Sequence, residues 1–316
     1  MFSGRISAAS IWKRRSTSSI AASGALVLRS AEPVALGARS SFAELPRRAL
    51  SAAVIAPPAL AAVWLGGYWL LALILPVAIL MGMEWARLVG YGSHPWLVRA
   101  LAIAAPQPVL ALLIGGWPIA MLHLLLLAGA LFALVGALDR DGSKQSGLWY
   151  AAGLPALGLP LLCLIWLRAQ EPDGAETVLW LVALVIATDI GAYFAGRLIG
   201  GPKLMPRISP KKTWAGLVGG MAAAACIGAL ATTLVAGDEG RAPVMAVALL
   251  SALLAVVAQT GDLAESAVKR NFNVKDSGTL IPGHGGLFDR LDGFLITLPA
   301  LALLVALTGM SVLQWQ

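Results

Sequence analysis

Long apolar runs constrain this chain more than any other feature of its sequence. Several reach the roughly 17 to 25 residues that a helix needs to cross a bilayer, and none shows the alternating pattern of a β-barrel strand. The nine apolar segments lie at approximately residues 49–65, 67–84, 99–115, 117–137, 148–167, 176–198, 213–236, 242–261 and 291–310. The sequence therefore predicts an all-α, polytopic integral membrane protein with about nine transmembrane helices.

The low charge content excludes an ordinary soluble protein. Charged residues make up 12% of the chain and the mean hydropathy is +0.81, whereas a soluble domain has about 25% charged residues. The two cysteines, Cys163 and Cys226, lie inside apolar runs and have no pair spacing. We therefore expect neither a disulfide framework nor a zinc site.

Glycines divide two pairs of these apolar segments. Gly66 and Gly67 separate the first two segments, and the stretch 115–118 (GGWP) separates the third from the fourth. Because glycine and proline favour turns, both pairs are predicted to be helical hairpins. If either pair were one continuous helix, the number of crossings would change.

Basic residues predict how the chain crosses the membrane. Lys and Arg number 23 against 16 Asp and Glu. With nine helices the basic loops share one side, and the opposite loops contain only Arg168 and Arg241. Because cytoplasmic loops carry the excess of Lys and Arg, the amino terminus is placed in the cytoplasm. The same rule accounts for the basic residues of the chain, so no nucleic-acid partner is expected. Residues 1–48 are predicted to be a basic, disordered leader, and residues 49–316 the membrane-embedded catalytic domain.

Asp189 lies inside the sixth apolar segment, where a charged side chain is costly. Asp189, Tyr193 and Arg197 are spaced i, i+4 and i+8. This spacing places them on one helical face, directed toward a shared cavity. A buried structural ion pair or hydrogen bond is the alternative to a functional role.

Two adjacent lysines, Lys211 and Lys212, precede the seventh apolar segment in the sequence SPKKT. Thr213 or Ser209 is suited to cap the following helix, and a helix amino terminus beside lysines favours an anionic phosphate. Contacts with anionic lipid headgroups explain the lysines equally well.

The densest polar stretch of the chain runs from residue 259 to residue 293. Asp262, Ser266, Lys269 and Arg270 are spaced i, i+4, i+7 and i+8, so they share one face if the eighth helix continues past the bilayer. Glycines then predict a loop, including residues 283–286, whose backbone can approach a ligand closely.

Two aspartates begin the ninth apolar segment. Asp289 and Asp292 are three residues apart, so they lie on one side of the first helical turn. Carboxylates near lysines and a glycine loop at a membrane boundary are typical of Mg²⁺-assisted phosphoryl or nucleotidyl transfer. His284 is interpreted as a substrate contact or loop organiser, because Mg²⁺ prefers oxygen ligands. Glu84 either supports this site or faces water.

This polar stretch resembles the signature of the phosphatidate cytidylyltransferase (CDP-diacylglycerol synthase) family. That signature reads S-x-x-K-R, four residues, K-D, a small residue, P-x-H-G-G and D-R-x-D. It is present without a gap at Ser266, Lys269, Arg270, Lys275, Asp276, Gly278, Pro282, His284, Gly285, Gly286, Asp289, Arg290 and Asp292. The stretches GAYFAGRLIGG and SPKKTWAG resemble the family's second charged block, from which Ala215 departs, so the resemblance covers roughly residues 49–310.

The resemblance implies that CTP and phosphatidic acid react to give CDP-diacylglycerol and pyrophosphate. It implies Mg²⁺ as cofactor, and it leaves open a second metal ion such as K⁺ and a homodimer. The expected partners are CTP, phosphatidic acid and the lipid bilayer, with the protein in a bacterial inner (plasma) membrane and its active site facing the cytoplasm. A CTP-using polyprenol or phytol kinase, which would release CDP, and an ion-coupled transporter are the competing interpretations.

Three sets of residues are predicted to carry this chemistry. The metal ligands are Asp262 and Asp289, with Asp292 or Asp276 in support. The catalytic residues are Lys269, Arg270, Asp276, His284 and Arg290. The substrate-binding residues are Asp189, Tyr193, Arg197, Ser209, Lys211, Lys212, Thr213, Ser266, Lys275, Gly285 and Gly286. Because the lipid phosphate is already an anionic nucleophile, positioning and charge neutralisation are expected to matter more than proton abstraction.

Overall fold

The computed structural model of the chain describes residues 53–91, 94–138, 144–235, 242–278, 285–309 and 312–314. The predicted leader, residues 1–48, lies outside the described residues and stays a prediction. The helices are α1 (Ala53–Leu65), α2 (Gly67–Ala86, continued by a π-helical turn at Arg87–Tyr91), α3 (Pro95–Ala104), α4 (Gln107–Leu138), α5 (Lys144–Arg168), α6 (Gly174–Leu198), α7 (Trp214–Val235), α8 (Val244–Asn271) and α9 (Phe288–Thr308). A 3₁₀ turn at Val312–Gln314 follows, and two strands, β1 (Lys203–Met205) and β2 (Ser209–Thr213), lie between α6 and α7.

Seven helical segments of the described chain are long and apolar enough to cross a membrane. They are Gly67–Tyr91, Pro95–Ala137, Gly147–Arg168, Gly174–Leu198, Trp214–Leu234, Val244–Asn271 and Phe288–Thr308. The prediction of an all-α polytopic membrane protein is therefore confirmed. The number of nine crossings and the cytoplasmic amino terminus stay predictions.

The backbone is non-helical at both of the predicted glycine turns. Gly66 has φ 66° and ψ −159°, and Gly116 has φ 73° and ψ −169°. These angles belong to a region that essentially only glycine occupies. The first glycine separates α1 from α2, and the second interrupts α4.

Arg168, one of the two cations on the sparsely charged side of the predicted topology, ends α5 and contacts the end of α1. Its Nε donates to the carbonyl of Val63 at 2.6 Å, and its Nη2 donates to the carbonyl of Trp64 at 2.7 Å. The last carbonyls of a helix have no partner within the helix, and a cation there also complements the helix dipole. A Cβ atom at Gly66 would lie 2.9 Å from the Arg168 guanidinium, so the glycine also makes room for this contact.

The hairpin of β1 and β2 was not predicted. The two strands pair antiparallel, with Lys203 opposite Thr213 and Met205 opposite Ser209. Two glycines with positive φ, Gly200 at 68° and Gly201 at 92°, let the chain leave α6. The SPKKT sequence is thus a strand, and its last residue leads directly into α7.

Small residues bring α6 and α7 into close contact. A Cβ atom at Gly191 of α6 would lie 2.6 Å from the carbonyl oxygen of Gly219 of α7. One at Gly220 would lie 2.9 Å from the carbonyl oxygen of Thr188. Helices in membranes often pack through small residues in this way. The carboxyl end of α6, the hairpin and the amino end of α7 consequently lie together.

Helix α8 packs against both α7 and α9. A Cβ atom at Gly228 of α7 would lie 2.7 Å from the carbonyl oxygen of Val247 in α8. On the α9 side, a Cβ atom at Gly261 would lie 2.6 Å from the carbonyl oxygen of Asp292. This packing brings the polar carboxyl-terminal part of α8 next to the first turn of α9.

Candidate functional site

One face of α8 supplies the central side chains of the site. The helix continues to Asn271, beyond the predicted apolar segment, as the polar face required. Ser266 Oγ donates to Asp262 Oδ1 at 3.3 Å, and Lys269 Nζ lies 2.9 Å from Glu265 Oε2. The polar residues lie one helical turn apart, which is the spacing that puts side chains on the same face.

Asp289, in the first turn of α9, joins that helix to α8 and to the loop before it. Its Oδ1 lies 2.9 Å from Lys269 Nζ. Its Oδ2 accepts hydrogen bonds from the backbone N–H groups of Gly286 at 3.0 Å and Ser277 at 3.1 Å. Asp289, predicted as a metal ligand, thus has a cation and two backbone donors as partners, and its metal role stays a prediction.

Three carboxylates form an acidic cluster, which we define as Asp262, Glu265 and Asp292. Each offers an oxygen atom, and these atoms lie within 4.8 Å of one another. Glu265 is buried, and its Oε1 accepts no hydrogen bond from the described residues. An all-oxygen donor set with an unsatisfied buried oxygen fits a hard cation such as Mg²⁺.

The ammonium groups of Lys212 and Lys269 contact these carboxylates. Lys212 Nζ lies 2.6 Å from Asp262 Oδ2, and Lys269 Nζ lies 2.9 Å from Glu265 Oε2 and from Asp289 Oδ1. A divalent cation would favour the ionised form of the clustered carboxylates, and low-dielectric surroundings would strengthen the attraction.

A cavity of about 510 Å³ lies among α6, β2, α7 and α8. Asp189, Tyr193 and Arg197 line it together, as their helical spacing predicted. Arg197 Nη1 donates to the Tyr193 hydroxyl at 2.9 Å. Lys211, which is exposed, lines the same cavity, so cations from α6 and β2 face one space.

Lys212 connects this cavity to the acidic cluster. Its Nζ lies 2.6 Å from Asp262 Oδ2 and 3.3 Å from the carbonyl oxygen of Gln259, and all three residues line the cavity. Asp262 therefore belongs both to the cavity wall and to the acidic cluster. A phosphate bound in the cavity would therefore lie next to the acidic cluster, whose oxygens suit a metal ion.

Thr213 caps α7. Its Oγ1 accepts a hydrogen bond from the backbone N–H of Gly216 at 3.0 Å, which is the contact of an N-cap side chain. Of the two predicted capping residues, Thr213 makes this bond, and Ser209 lies at the other end of β2.

The remaining predicted residues lie around this centre. Arg270 Nε donates to the carbonyl of Ile208 at 3.5 Å, which joins α8 to the hairpin. The side chains of Lys275, Asp276 and Arg290 are exposed. His284 lies outside the described residues, so its role stays a prediction. Gly285 has a positive φ of 86°, and Gly286 donates to Asp289.

Sequence reasoning missed Glu265 and left Glu84 undecided. Glu265 lies three residues after Asp262 and four before Lys269, so helical spacing could have found it. Glu84 is 3% exposed and bonds to the amino terminus of α9, about 200 residues away in sequence. Only its position at a membrane boundary hinted at a role.

Known proteins resemble this chain over most of its length. Residues 46–308 match the model of the cytidylyltransferase family. The phosphatidate cytidylyltransferase of Brucella suis is 39% identical over 262 residues, which cover 80% of this chain and 90% of that protein. That of Pseudomonas aeruginosa is 36% identical over 278 residues, 84% of this chain and 98% of that protein. That of Bacillus subtilis is 40% identical over 151 residues, 48% of this chain and 55% of that protein.

Proposed function

The chain belongs to the cytidylyltransferase family, and we propose that its cavity and acidic cluster convert CTP and phosphatidic acid to CDP-diacylglycerol and pyrophosphate. In this reaction a phosphate oxygen of phosphatidic acid attacks the α-phosphorus of CTP. The bond to the β-phosphate breaks, and pyrophosphate leaves with the electron pair. Atoms balance without any further reactant.

The observation that carries this proposal is the contact between Lys212 and Asp262 at 2.6 Å. It places a space lined by cations directly beside a cluster of carboxylates. Nucleotidyl transfer needs both, because the phosphates must be neutralised and the reacting groups held in line. A transporter would not need this combination at one end of its helices.

The basic residues of the cavity are proposed to bind phosphates. Arg197, Lys211 and Lys212 supply positive charge from two elements. The guanidinium of Arg197 can bind a phosphate with two parallel hydrogen bonds, whereas each lysine acts as a point charge. The amino terminus of α7 adds a helix dipole beside Thr213. These groups would hold CTP and the lipid phosphate close together.

Asp262, Glu265 and Asp292 are proposed to hold Mg²⁺, with Asp289 kept as a further predicted ligand. When bound, the ion would neutralise phosphate charge and withdraw electrons from the reacting phosphorus. Lys269 lies between Glu265 and Asp289 at 2.9 Å from each. It would orient both carboxylates. A second ion such as K⁺ is proposed only as an additional occupant of this acidic region.

The protein is proposed to lie in the inner membrane with this site at the cytoplasmic surface. Its basic hairpin, which carries Lys203, Arg207, Lys211 and Lys212 without an acidic residue, agrees with the charge bias of cytoplasmic loops. The acyl chains of phosphatidic acid would stay in the bilayer and enter between helices. A homodimer is retained as a proposal, to be measured by the mass of the protein in detergent.

The direct test uses the purified full chain in vesicles that contain phosphatidic acid. With CTP and Mg²⁺, we expect CDP-diacylglycerol and pyrophosphate in equal amounts. A polyprenol replaces phosphatidic acid as the control lipid, since a CTP-using polyprenol kinase would phosphorylate it and release CDP. A folded, monodisperse preparation that releases no pyrophosphate in response to phosphatidic acid would refute the proposed function.

Variants test the acidic cluster. Asp262→Asn and Asp292→Asn each remove one proposed ligand, and we expect activity to fall at least about tenfold, with a higher Mg²⁺ requirement. Asp289→Asn is also expected to lose turnover without loss of expression. Glu176→Gln is the matched control, because Glu176 lies in the first turn of α6 and lines a separate cavity. Equal activity of the cluster variants and the control would remove these carboxylates from the metal role.

A further inference from the structure

We infer that Glu84 of α2 is a positioning residue, which fixes the first turn of α9 and with it the carboxylates of Asp289 and Asp292. This inference rests on the proposed function, because it gives that turn a role in turnover. Glu84 lies outside the signature stretch of residues 266–292 and touches neither the cavity nor the acidic cluster. Its effect would therefore act through α9.

The carboxylate of Glu84 binds the amino terminus of α9 directly. Its Oε1 accepts a hydrogen bond from the backbone N–H of Leu287 at 2.9 Å, and its Oε2 accepts one from that of Phe288 at 2.8 Å. Ser277 Oγ lies 3.5 Å from Oε2. Both oxygens are thus used, and the side chain is 3% exposed.

Helix α9 has no capping side chain of its own. The first N–H groups of a helix have no partner within it, and leaving them unpaired in a buried place is costly. Leu287 already has helical backbone angles, φ −69° and ψ −37°, and no side-chain cap bond is present. The residue before it, Gly286, has no side chain. Glu84 supplies the missing acceptor, and its charge also complements the positive end of the helix dipole.

Two glycines of the polar stretch make room for Glu84. A Cβ atom at Gly278 would lie 2.8 Å from Glu84 Oε1, and one at Gly286 would lie 2.9 Å from Oε2. Real Cβ atoms almost never approach so closely. A small residue at position 278 therefore leaves room for the Glu84 side chain, which comes from the distant helix α2.

The same turn carries the acidic residues of the site. Asp289 follows Phe288 directly, and its Oδ2 accepts from Gly286. The backbone of residues 286–289 is consequently held by two carboxylates: Glu84 accepts from Leu287 and Phe288, and Asp289 accepts from Gly286. If Glu84 is lost, the turn can fray, and both Asp289 and Asp292 lose their fixed distance from α8.

Two independent variants perturb this contact. Glu84→Gln keeps the volume but replaces one acceptor oxygen by a donor amide. Gly278→Ala keeps Glu84 but forces its carboxylate away. For each, we expect kcat to fall about tenfold to a hundredfold, the range set by loss of a charged hydrogen bond. The Mg²⁺ concentration for half-maximal activity should rise. KM for CTP should change little, because the cavity cations proposed to bind phosphate, Arg197, Lys211 and Lys212, do not lie on α9.

A double-mutant cycle separates positioning from general damage. In the Glu84→Ala background, Gly278→Ala meets no carboxylate, so the double variant should be as active as Glu84→Ala alone. Glu176→Gln serves again as the control for removal of an acid from a membrane helix. Additive losses in the cycle, or an unchanged Mg²⁺ requirement in Glu84→Gln, would overturn the inference.

The activity of the unmodified protein distinguishes failure of the proposed function from failure of the positioning role of Glu84. If it makes no CDP-diacylglycerol, the proposed function fails, whatever the variants do. If it is active and Glu84→Gln has the same kcat and Mg²⁺ requirement, the function stands and the positioning role of Glu84 fails. If Glu84→Gln does not yield folded protein, Gly278→Ala alone decides, and an unchanged kcat and Mg²⁺ requirement in that variant would overturn the inference.

Discussion

Replacement of Lys269 by methionine should destabilise the protein, and Mg²⁺ should reverse part of the loss. The Lys269 Nζ lies 2.9 Å from both Glu265 Oε2 and Asp289 Oδ1. The side chains are 14% exposed for Lys269, 1% for Glu265 and 7% for Asp289. Methionine keeps the length of the apolar stem and removes only the charge. The variant therefore leaves two nearly buried carboxylates without their common partner.

The expected size follows from this burial. Breaking a buried ion pair from one side costs about 3 to 5 kcal/mol, mostly because the remaining charge is left uncompensated. Since about a seventh of the Lys269 side chain is exposed, the lower value applies. A loss of about 3 kcal/mol changes the unfolding equilibrium roughly 150-fold.

The free energy of unfolding is measured by denaturant titration in mixed micelles, with and without Mg²⁺. Without Mg²⁺, Lys269→Met should lose about 3 kcal/mol, and Lys203→Met, which changes an exposed lysine of β1, should lose almost nothing. With Mg²⁺, the Lys269 variant should regain more stability than the unmodified protein does, because its acidic region holds one more uncompensated charge. Adding Glu265→Gln to the Lys269 variant should restore part of the lost stability, because it removes one of the two uncompensated carboxylates.

The reasoning would be refuted by either of two results. Equal stability of Lys269→Met and the Lys203→Met control without Mg²⁺ would show that Lys269 is not a buried partner of two carboxylates. A further loss of stability when Glu265→Gln is added to the Lys269 variant would show that the two groups are not coupled by charge.

Two further variants test helix ends away from the acidic cluster. Thr213→Val removes the acceptor for the N–H of Gly216 and should cost about 1 kcal/mol of stability, measured by thermal unfolding in detergent. Arg168→Met frees the carbonyls of Val63 and Trp64 and should cost about 1.5 to 3 kcal/mol by the same measurement, with turnover retained in the folded fraction. Unchanged stability in either variant would contradict the cap assigned to that helix end.

Much of the fold was predictable because membrane helices obey a local rule. A run of apolar residues of sufficient length needs no distant partner to be recognised, since the helix satisfies its own backbone hydrogen bonds. The extension of α8 to Asn271 was predictable for the same reason, from the spacing of Asp262, Ser266 and Lys269. These are properties of single segments.

The β1–β2 hairpin and Glu84 were not predictable in this way. The hairpin depends on the pairing of Lys203 with Thr213 across a turn, and its strands are too short for a sequence pattern to be reliable. Glu84 acts on Leu287 and Phe288, about 200 residues later. No local spacing contains that contact.

Glu265 is a different case, because its signal was present. It follows Asp262 by three residues and precedes Lys269 by four, both of which are neighbouring positions on a helix. The polar face was assigned from residues 262, 266, 269 and 270, and the resemblance to the family signature begins at residue 266, so Glu265 fell between the two arguments.

Gly116 limits the length of unbroken helix within the apolar segment Pro95–Ala137. If these 43 residues formed one unbroken helix, it would be about 65 Å long at 1.5 Å per residue, roughly twice the 30 Å of the hydrocarbon core. The backbone angles at residue 116, φ 73° and ψ −169°, are closed to every side chain larger than hydrogen. A saturation-mutagenesis scan should therefore show that residue 116 tolerates no side chain, whereas alanine should be accepted at Gly129, where a Cβ atom would meet nothing within 4 Å. The glycine at residue 116 thus allows a break in an apolar stretch that is longer than the membrane is thick.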